Sequence, residues 1–318
     1  MSKRIVIMGE CMVELYQLVD NVYHQNFAGD VFNTAVYLKR TCEQPVDVQF
    51  FTAVGTDLIS DKLLRAVERE KIDTSLMLRT KTARPGLYMI NTDAFGERSF
   101  VYWRDSSAAK QVMQCFNAQL SYDAIKGCDM FYFSGITLAI LSDADRAQLL
   151  ELVKQLKADG SKIIFDPNYR PALWPTADAA KAAFNHAYSL TDLALPGLDD
   201  HKVLFGAQST NDVVSQLIEL GVNEIIVKDG KNGINGSYQH EVFTGLAHRV
   251  KKVVDTTAAG DSFNGGYLAA RLCGITPQHA VKFAARLAGF VVEHTGAIVS
   301  KEHFNSFWAK NRPSVFTK

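Results

Sequence analysis

Apolar runs and amphipathic stretches alternate along this chain in a way that predicts strand and helix in succession. Ile5-Val6-Ile7-Met8 is a continuous apolar run ending at Gly9, as expected for a strand buried on both faces, and it opens a central sheet. From Asp30 the spacing Val31, Ala35, Leu38 follows the helical period, and Asp47 to Val54 reads as a second strand before Gly55. Asp57 to Lys71 is again helical, with Leu58, Leu63 and Val67 on one stripe and mixed charges opposite. The rhythm breaks at Gly86 to Thr92 and Arg98 to Trp103, two β-rich runs around Asp93-Ala94-Phe95-Gly96-Glu97 that predict a hairpin. Its strands are rich in aromatics yet carry Arg98 and Arg104, so a small sheet with one face toward a ligand or partner is expected, and Val13 to Leu18 is a candidate further strand.

After the hairpin the alternation resumes with a strand at Met130 to Phe133. A long helix follows, capped by Ser142, carrying Leu149, Leu152, Val153 and Leu156 and stopping at Gly160. Next come a strand at Lys162 to Phe165, a helix near Ala177 to Tyr188, and strands at Leu193 to Leu195 and Glu224 to Val227. Such alternation predicts an α/β fold: a mainly parallel sheet with helices on both faces, its ligands at the carboxyl ends of the strands.

At 318 residues the chain is long enough for two domains, or for one large α/β body with an appendage. With 47% hydrophobic and 21% charged residues it reads as soluble and globular, and its 34 basic and 34 acidic side chains cancel. That balance removes the long-range pull toward nucleic acid or anionic lipid, so neither is an expected partner. No apolar run approaches a membrane span and the first strand meets Gly9-Glu10 too early for a secretory core, which makes cytoplasm the expected compartment. Five scattered cysteines without C-x-x-C, and histidines without H-E-x-x-H, suggest neither a disulfide framework nor a zinc site.

The chemistry concentrates in Val253-Val254-Asp255-Thr256-Thr257-Ala258-Ala259-Gly260-Asp261-Ser262-Phe263. The pattern reads as a strand end, then small residues that let a ligand approach the backbone, then a helix whose first N–H groups point outward: an anion cradle. An Asp in that first turn is favoured as a carboxylate by the helix dipole, so Asp261 is expected to be ionised and able to accept a hydroxyl proton. The alternative is that Asp261 only caps a helix. Arg104 and Arg170 each offer a planar fork suited to a carboxylate, with a surface ion pair as the alternative for Arg104 and sheet packing for Tyr102. Val227-Lys228-Asp229-Gly230-Lys231-Asn232-Gly233 places glycines three apart after a strand, either a ligand-contacting turn or a simple hairpin.

The string D-T-x-x-A-G-D-x-F late in an α/β chain resembles the signature of the ribokinase/PfkB family of sugar kinases, which more often has Gly where this chain has Ala258. Further motifs are similar to those of the 2-keto-3-deoxygluconate kinases within it: Gly9-Glu10-Cys11-Met12-Val13-Glu14-Leu15, Gly29 to Ala35, Pro85-Gly86-Leu87-Tyr88, Gly96 to Arg104 and Asp166-Pro167-Asn168-Tyr169-Arg170. The resemblance implies a ribokinase-like core of residues 1–9, 31–83 and 106–318 and a β-lid of 10–30 and 84–105. It implies transfer of the ATP γ-phosphoryl group to the C6 hydroxyl of 2-keto-3-deoxygluconate with Mg2+, and leaves a monovalent cation open. Asp261 would be the general base, with the backbone of Ala258, Ala259, Gly260 and Asp261 as the anion hole. Gly29, Asp30, Asn33, Tyr88, Tyr102, Arg104, Arg170 and Asp261 would meet the sugar acid, and Asn168, Lys228, Gly230 and Gly233, with Ala258, Ala259 and Gly260, the nucleotide. Leu195-Pro196-Gly197-Leu198-Asp199-Asp200 stands where many members have N-x-x-E, so Asp200 is the candidate for Mg2+ through water, or else part of a helix start. The same resemblance implies a homo-oligomer, a dimer through the lid.

Fructokinase or nucleoside kinase activity of the same family is the near alternative, sharing Asp261 without special need of Arg104 and Arg170. A Rossmann dehydrogenase is disfavoured because no G-x-G-x-x-G follows the first strand, and P-loop enzymes and protein kinases because Walker A and D-F-G are missing. A silent sugar sensor is disfavoured by the intact Ala259-Gly260-Asp261.

Overall fold

In the computed structural model, which describes residues 2–19, 22–42, 45–92 and 98–312, the expected alternation is present. The first third contains β1 (Lys3–Met8), β2 (Met12–Val19), β3 (Val22–Ala28), α1 (Asp30–Thr41), β4 (Val46–Val54), α2 (Leu58–Arg69), β5 (Met77–Arg79), β6 (Leu87–Thr92) and β7 (Arg98–Trp103). The middle has α3 (Val112–Gln119), β8 (Met130–Ser134), α4 (Gly135–Ile140), α5 (Asp143–Ala158), β9 (Lys162–Asp166), α6 (Ala177–Leu190), β10 (Leu193–Ala194), α7 (Leu198–Phe205), α8 (Thr210–Glu219) and β11 (Glu224–Lys228). The last part is a hairpin, β12 (Ile234–Tyr238) and β13 (Glu241–Gly245), followed by α9 (Ala259–Leu272), α10 (Pro277–Val292) and α11 (Lys301–Asn311).

The large sheet runs β13-β12-β11-β10-β9-β8-β1-β4-β5. Pairing is parallel from β11 through to β5, because each connection crosses over through a helix, and antiparallel at β11-β12-β13, where short turns allow no crossover. The turn between Lys228 and Ile234 is thus the hairpin that the sequence left as an alternative, while the strands β12 and β13 themselves are additions to the sequence reading. Strand side chains are buried on both faces, Ile5 and Ile7 against α1 and α9, Val6 and Met8 against the helices opposite, which explains the unbroken apolar runs. Helix starts follow their caps: the Asp57 carboxylate accepts the Ile59 and Ser60 amides ahead of α2, and Ser142 the Asp145 amide ahead of α5.

The small sheet has the order β3-β2-β6-β7, with β2 and β6 parallel and the outer pairs antiparallel. Val13 to Leu18 thus belongs to β2, as expected, while β3 was not foreseen: its residues are mostly exposed and alternate too weakly to signal a strand. The hairpin turn 93–97, including Gly96 and Glu97, lies outside the described residues. A second correction concerns Val253 and Val254, which are exposed and belong to no strand; the segment before α9 is irregular, and its apolar pair does not mark a sheet element.

One close approach positions the site. At Gly265 in α9 an added Cβ would lie 2.7 Å from both the Leu38 amide nitrogen and the Thr34 carbonyl oxygen, so the backbones of α1 and α9 touch there. Anything larger than hydrogen would separate the N-termini of the two helices.

Candidate active site

Three strands of the large sheet and the first turns of α1, α7 and α9 converge at the carboxyl edge. Asp261 stands in the first turn of α9, and Asn33 of α1 donates to its Oδ2 at 2.8 Å. Its carboxyl is pushed up to about 7, chiefly by loss of water and then by the nearby Asp30 charge, while the Asn33 hydrogen bond and Lys228 pull the other way. The expected ionisation by the helix dipole is therefore corrected: removal from water outweighs an effect of roughly 0.3–1 kcal/mol at exposed helix ends.

The cradle itself is built from backbone. Ala258 is left-handed, φ 59°, a conformation that suits Gly better and matches the residue more often found at that point of the signature. No side chain caps α9, and the Ala259 amide donates to the Thr256 carbonyl at 3.2 Å. Of the four residues expected to form the anion hole, Gly260 and Asp261 therefore supply the outward first-turn amides, with Ala258 setting the turn.

Behind the cradle lies a charged group whose partners the sequence did not reveal. The Lys228 ammonium donates to Asn264 Oδ1 at 2.9 Å and lies 3.4 Å from Asp166 Oδ2, and Asn264 donates to Asp166 at 2.6 Å. A Cβ at Gly260 would sit 3.8 Å from that ammonium, so Lys228 lies under the helix start rather than merely in a glycine turn. Asp166 was visible in the Asp166-Pro167-Asn168 run, and Asn264 one helical turn after Asp261 was a usable signal for a shared face.

Beside α9, a cavity of about 420 Å3 is lined by Lys228, Gly230, Gly233, Ala259, Gly260 and apolar side chains including Val250, Phe263 and Val292. Five of the seven residues expected at the nucleotide, Lys228, Gly230, Gly233, Ala259 and Gly260, thus line one apolar-walled space with the cradle at its edge. Asn168 does not line it: with φ 31° it turns the chain after β9, and its amide donates to Asp30 Oδ2 at 2.9 Å. Asp30, first residue of α1, is itself pushed up by loss of water, against hydrogen bonds from Ser134 and Asn168. Gly29 precedes it, packed so closely on the Glu10 carbonyl that a Cβ would be 2.3 Å from that oxygen.

The expected substrate arginines differ. Arg104, just beyond β7, is nine-tenths buried and paired with Glu10, so the surface ion pair is corrected to a buried one. Arg170 is half exposed, donates to the Tyr169 carbonyl at 2.8 Å, and lies 3.6 Å from Asp200. Tyr88 is buried and its hydroxyl donates to Glu14, whereas Tyr102 is half exposed with its ring 5.8 Å from that of Tyr88.

Asp200 lies in the first turn of α7 after Gly197, and accepts the Tyr169 amide at 3.2 Å. The segment is a helix start, as one of the two readings expects, and its carboxylate stands at the same edge as Asp166 and Arg170. Burial raises its carboxyl to about 6, with the Asp166 charge adding to the rise and Arg170 opposing it. Asp200 and Asp166, each beside a cation, would suit a divalent ion held through water and phosphate oxygens rather than in a protein cage, and no cluster of three or more metal-ligating side chains occurs among the described residues. Nor, among them, is any helix long and apolar enough to cross a membrane.

Comparison with known proteins gives a family and close relatives. A model of the pfkB family carbohydrate kinases matches residues 2–303. The 2-dehydro-3-deoxygluconokinase of Escherichia coli strain K12 is 40% identical over 307 residues, 95% of this chain and 99% of that protein. The enzyme of the same name from Haemophilus influenzae is 36% identical over 302 residues, 94% of this chain and 96% of its own. Among solved structures, a fructokinase with bound ATP from Xylella fastidiosa superposes with a TM-score of 0.81 at 25% identity, covering 98% and 99% of the two chains.

Proposed function

We propose, from the premise that this chain belongs to the pfkB family of carbohydrate kinases and is an ATP-dependent sugar kinase, that its acceptor is 2-keto-3-deoxygluconate, phosphorylated on the C6 hydroxyl. The observation that carries this reading is a chain of contacts that ties two unlike groups together, a carboxyl at a helix start and a buried guanidinium. Asp261 opens an uncapped helix beside an apolar-walled cavity, and Arg104, a buried cation, is linked to the same helix pair through Glu10 and Gly29. A neutral sugar asks for no guanidinium; a sugar acid does.

In this reading the residues divide the work as follows. Gly29, Asp30 and Asn33 orient the sugar hydroxyls, and Arg104, with Tyr88, Tyr102 and Arg170, accommodates the acid end. Asp261 in its ionised form takes the C6 hydroxyl proton, and Asn33 aims its carboxylate. The Gly260 and Asp261 amides, with Lys228 behind them, stabilise the transferring phosphoryl oxygens. Asp200 and Asp166 would hold Mg2+ through water, and the ion when bound neutralises phosphate charge. Residues 10–30 and 84–105 would act as a lid, and the exposed Val101 and Trp103, on the face of β7 opposite Tyr102, would seat a second copy of the chain.

A coupled ADP-release assay across sugar acids, fructose and ribosides tests the substrate. Turnover of 2-keto-3-deoxygluconate above the neutral sugars by at least about 100-fold in kcat/KM is expected, the range set by one charge-assisted fork. Equal or better use of fructose would overturn the proposal.

A further inference from the structure

We propose that Glu10 is a positioning residue for sugar-acid recognition: its carboxylate holds one end of the Arg104 guanidinium so that the free donors face the cleft. The inference rests on the reading above that Arg104 meets the substrate's carboxylate.

Glu10, in the connection from β1 to β2, is 2% exposed, and both of its oxygens are engaged. One accepts Arg104 Nη2, the other the Ser107 hydroxyl. The slot around it is fixed by small neighbours: a Cβ at Gly86 would come within 2.8 Å of Glu10 Oε1 and 3.2 Å of Arg104 Cβ. The carboxylate therefore has no room to swing. With Nη2 held by Glu10 at one end and Cβ packed on Gly86 at the other, the planar guanidinium has little freedom to turn its other donors.

Those donors are not all used. Arg104 Nε is buried and has no hydrogen-bond partner. A buried N–H on a cation left unpaired is costly, and an incoming carboxylate oxygen is the acceptor that would satisfy it. The placement leads to the reaction centre, since the Glu10 carbonyl packs on Gly29, Gly29 caps α1, and Asn33 of α1 holds Asp261. Glu10 has a second effect: it keeps the arginine from being an isolated buried cation while no substrate is bound.

The test is a double-mutant cycle in steady-state kinetics with 2-keto-3-deoxygluconate and ATP. Glu10→Gln keeps the shape and removes the charge pairing; the sugar-acid KM should rise about 10- to 100-fold while kcat and the ATP KM stay within about twofold. In an Arg104→Ala background the same change should add less than about twofold, because its effect runs through the arginine. Ser107→Ala, which leaves both charges in place, should raise the same KM by about 3- to 10-fold and carries the test should Glu10→Gln fail to fold. Equal losses for ATP and sugar acid, or costs that multiply in full in the double variant, would overturn the proposal. Preference of the unaltered enzyme for neutral sugars would instead defeat the substrate reading, whereas a sugar-acid enzyme that needs Arg104 but ignores Glu10 would defeat only this inference.

Discussion

The raised carboxyl of Asp261 makes the pH profile of the unaltered enzyme the most direct check on the chemistry. A base must be deprotonated to act, and this one sits at about 7 rather than near its ordinary 3.8. About a tenth of it is ionised one unit below that value and about nine tenths one unit above. The kcat/KM for the sugar acid should therefore rise about tenfold between pH 6 and pH 8, measured by coupled ADP release at saturating ATP and Mg2+. The substrate's own carboxylate is ionised throughout that interval, so it contributes no limb of its own. Stability should move the opposite way. Between about pH 4 and pH 7 the folded chain holds a proton that the unfolded chain has released, so stability falls as pH climbs through that window and the loss is complete above it. The shift corresponds to at most about 4 kcal/mol, an upper figure because the side chain keeps some contact with solvent. Asp261→Asn cannot ionise and should lose turnover by about 100-fold or more while melting higher than the parent at pH 8 and equally at pH 4. A flat activity profile from pH 5.5 to 8, or an Asn variant less stable than the parent at pH 8, would refute the assignment.

Lys228→Met should lower kcat by about 100-fold through the loss of charge under the cradle, and should cost about 3–5 kcal/mol of stability by leaving the buried Asp166 carboxylate unpaired; melting and turnover are read together. Gly265→Ala should push α1 from α9 and lower kcat with a smaller change in the ATP KM, since the Asn33 to Asp261 hydrogen bond spans that gap; unchanged kinetics would show that the two helices can part without cost. Glu224→Gln should destabilise by about 3–5 kcal/mol in denaturant titration, because Arg271, Lys162 and the Tyr267 hydroxyl all converge on that buried carboxylate. Those partners hold its carboxyl below the usual range despite burial, so its contribution is present above the ordinary value and lost as pH falls through the lowered one.

How much of this was legible in the sequence follows from which physics is local. Strands such as Ile5 to Met8, and caps such as Asp57 and Ser142, declare themselves because burial on both faces and orphan amides act over a few residues. The D-T-T-A-A-G-D string announced a cradle for the same reason. What stayed hidden depends on partners far along the chain. Asp261 looked ionised when only the helix dipole was in view; the water it loses and the Asp30 charge beside it are tertiary. Arg104 looked free because Glu10 is 94 positions away. Lys228 looked like part of a turn because Asn264 and Asp166 come to it from another helix and another strand.

These long-range contacts share one design, in which α9 is tied to the sheet at two heights. Near its C-terminal end Tyr267 and Arg271 hold Glu224 at the start of β11; near its N-terminal end Asn264 holds Lys228 at the end of the same strand. Glu224 and Lys228 are four residues apart on one strand, and Asn264 and Tyr267 are one helical turn apart, so helix and strand run alongside each other with a polar contact at either end. Sliding α9 along its axis would break both contacts at once. The first-turn amides of Gly260 and Asp261 are thereby fixed in depth relative to the carboxyl edge, where Asp166 at the end of β9 faces Lys228. In a reaction that depends on alignment to within fractions of an ångström, such a clamp explains why a chain would retain a buried Glu224 network far from any substrate.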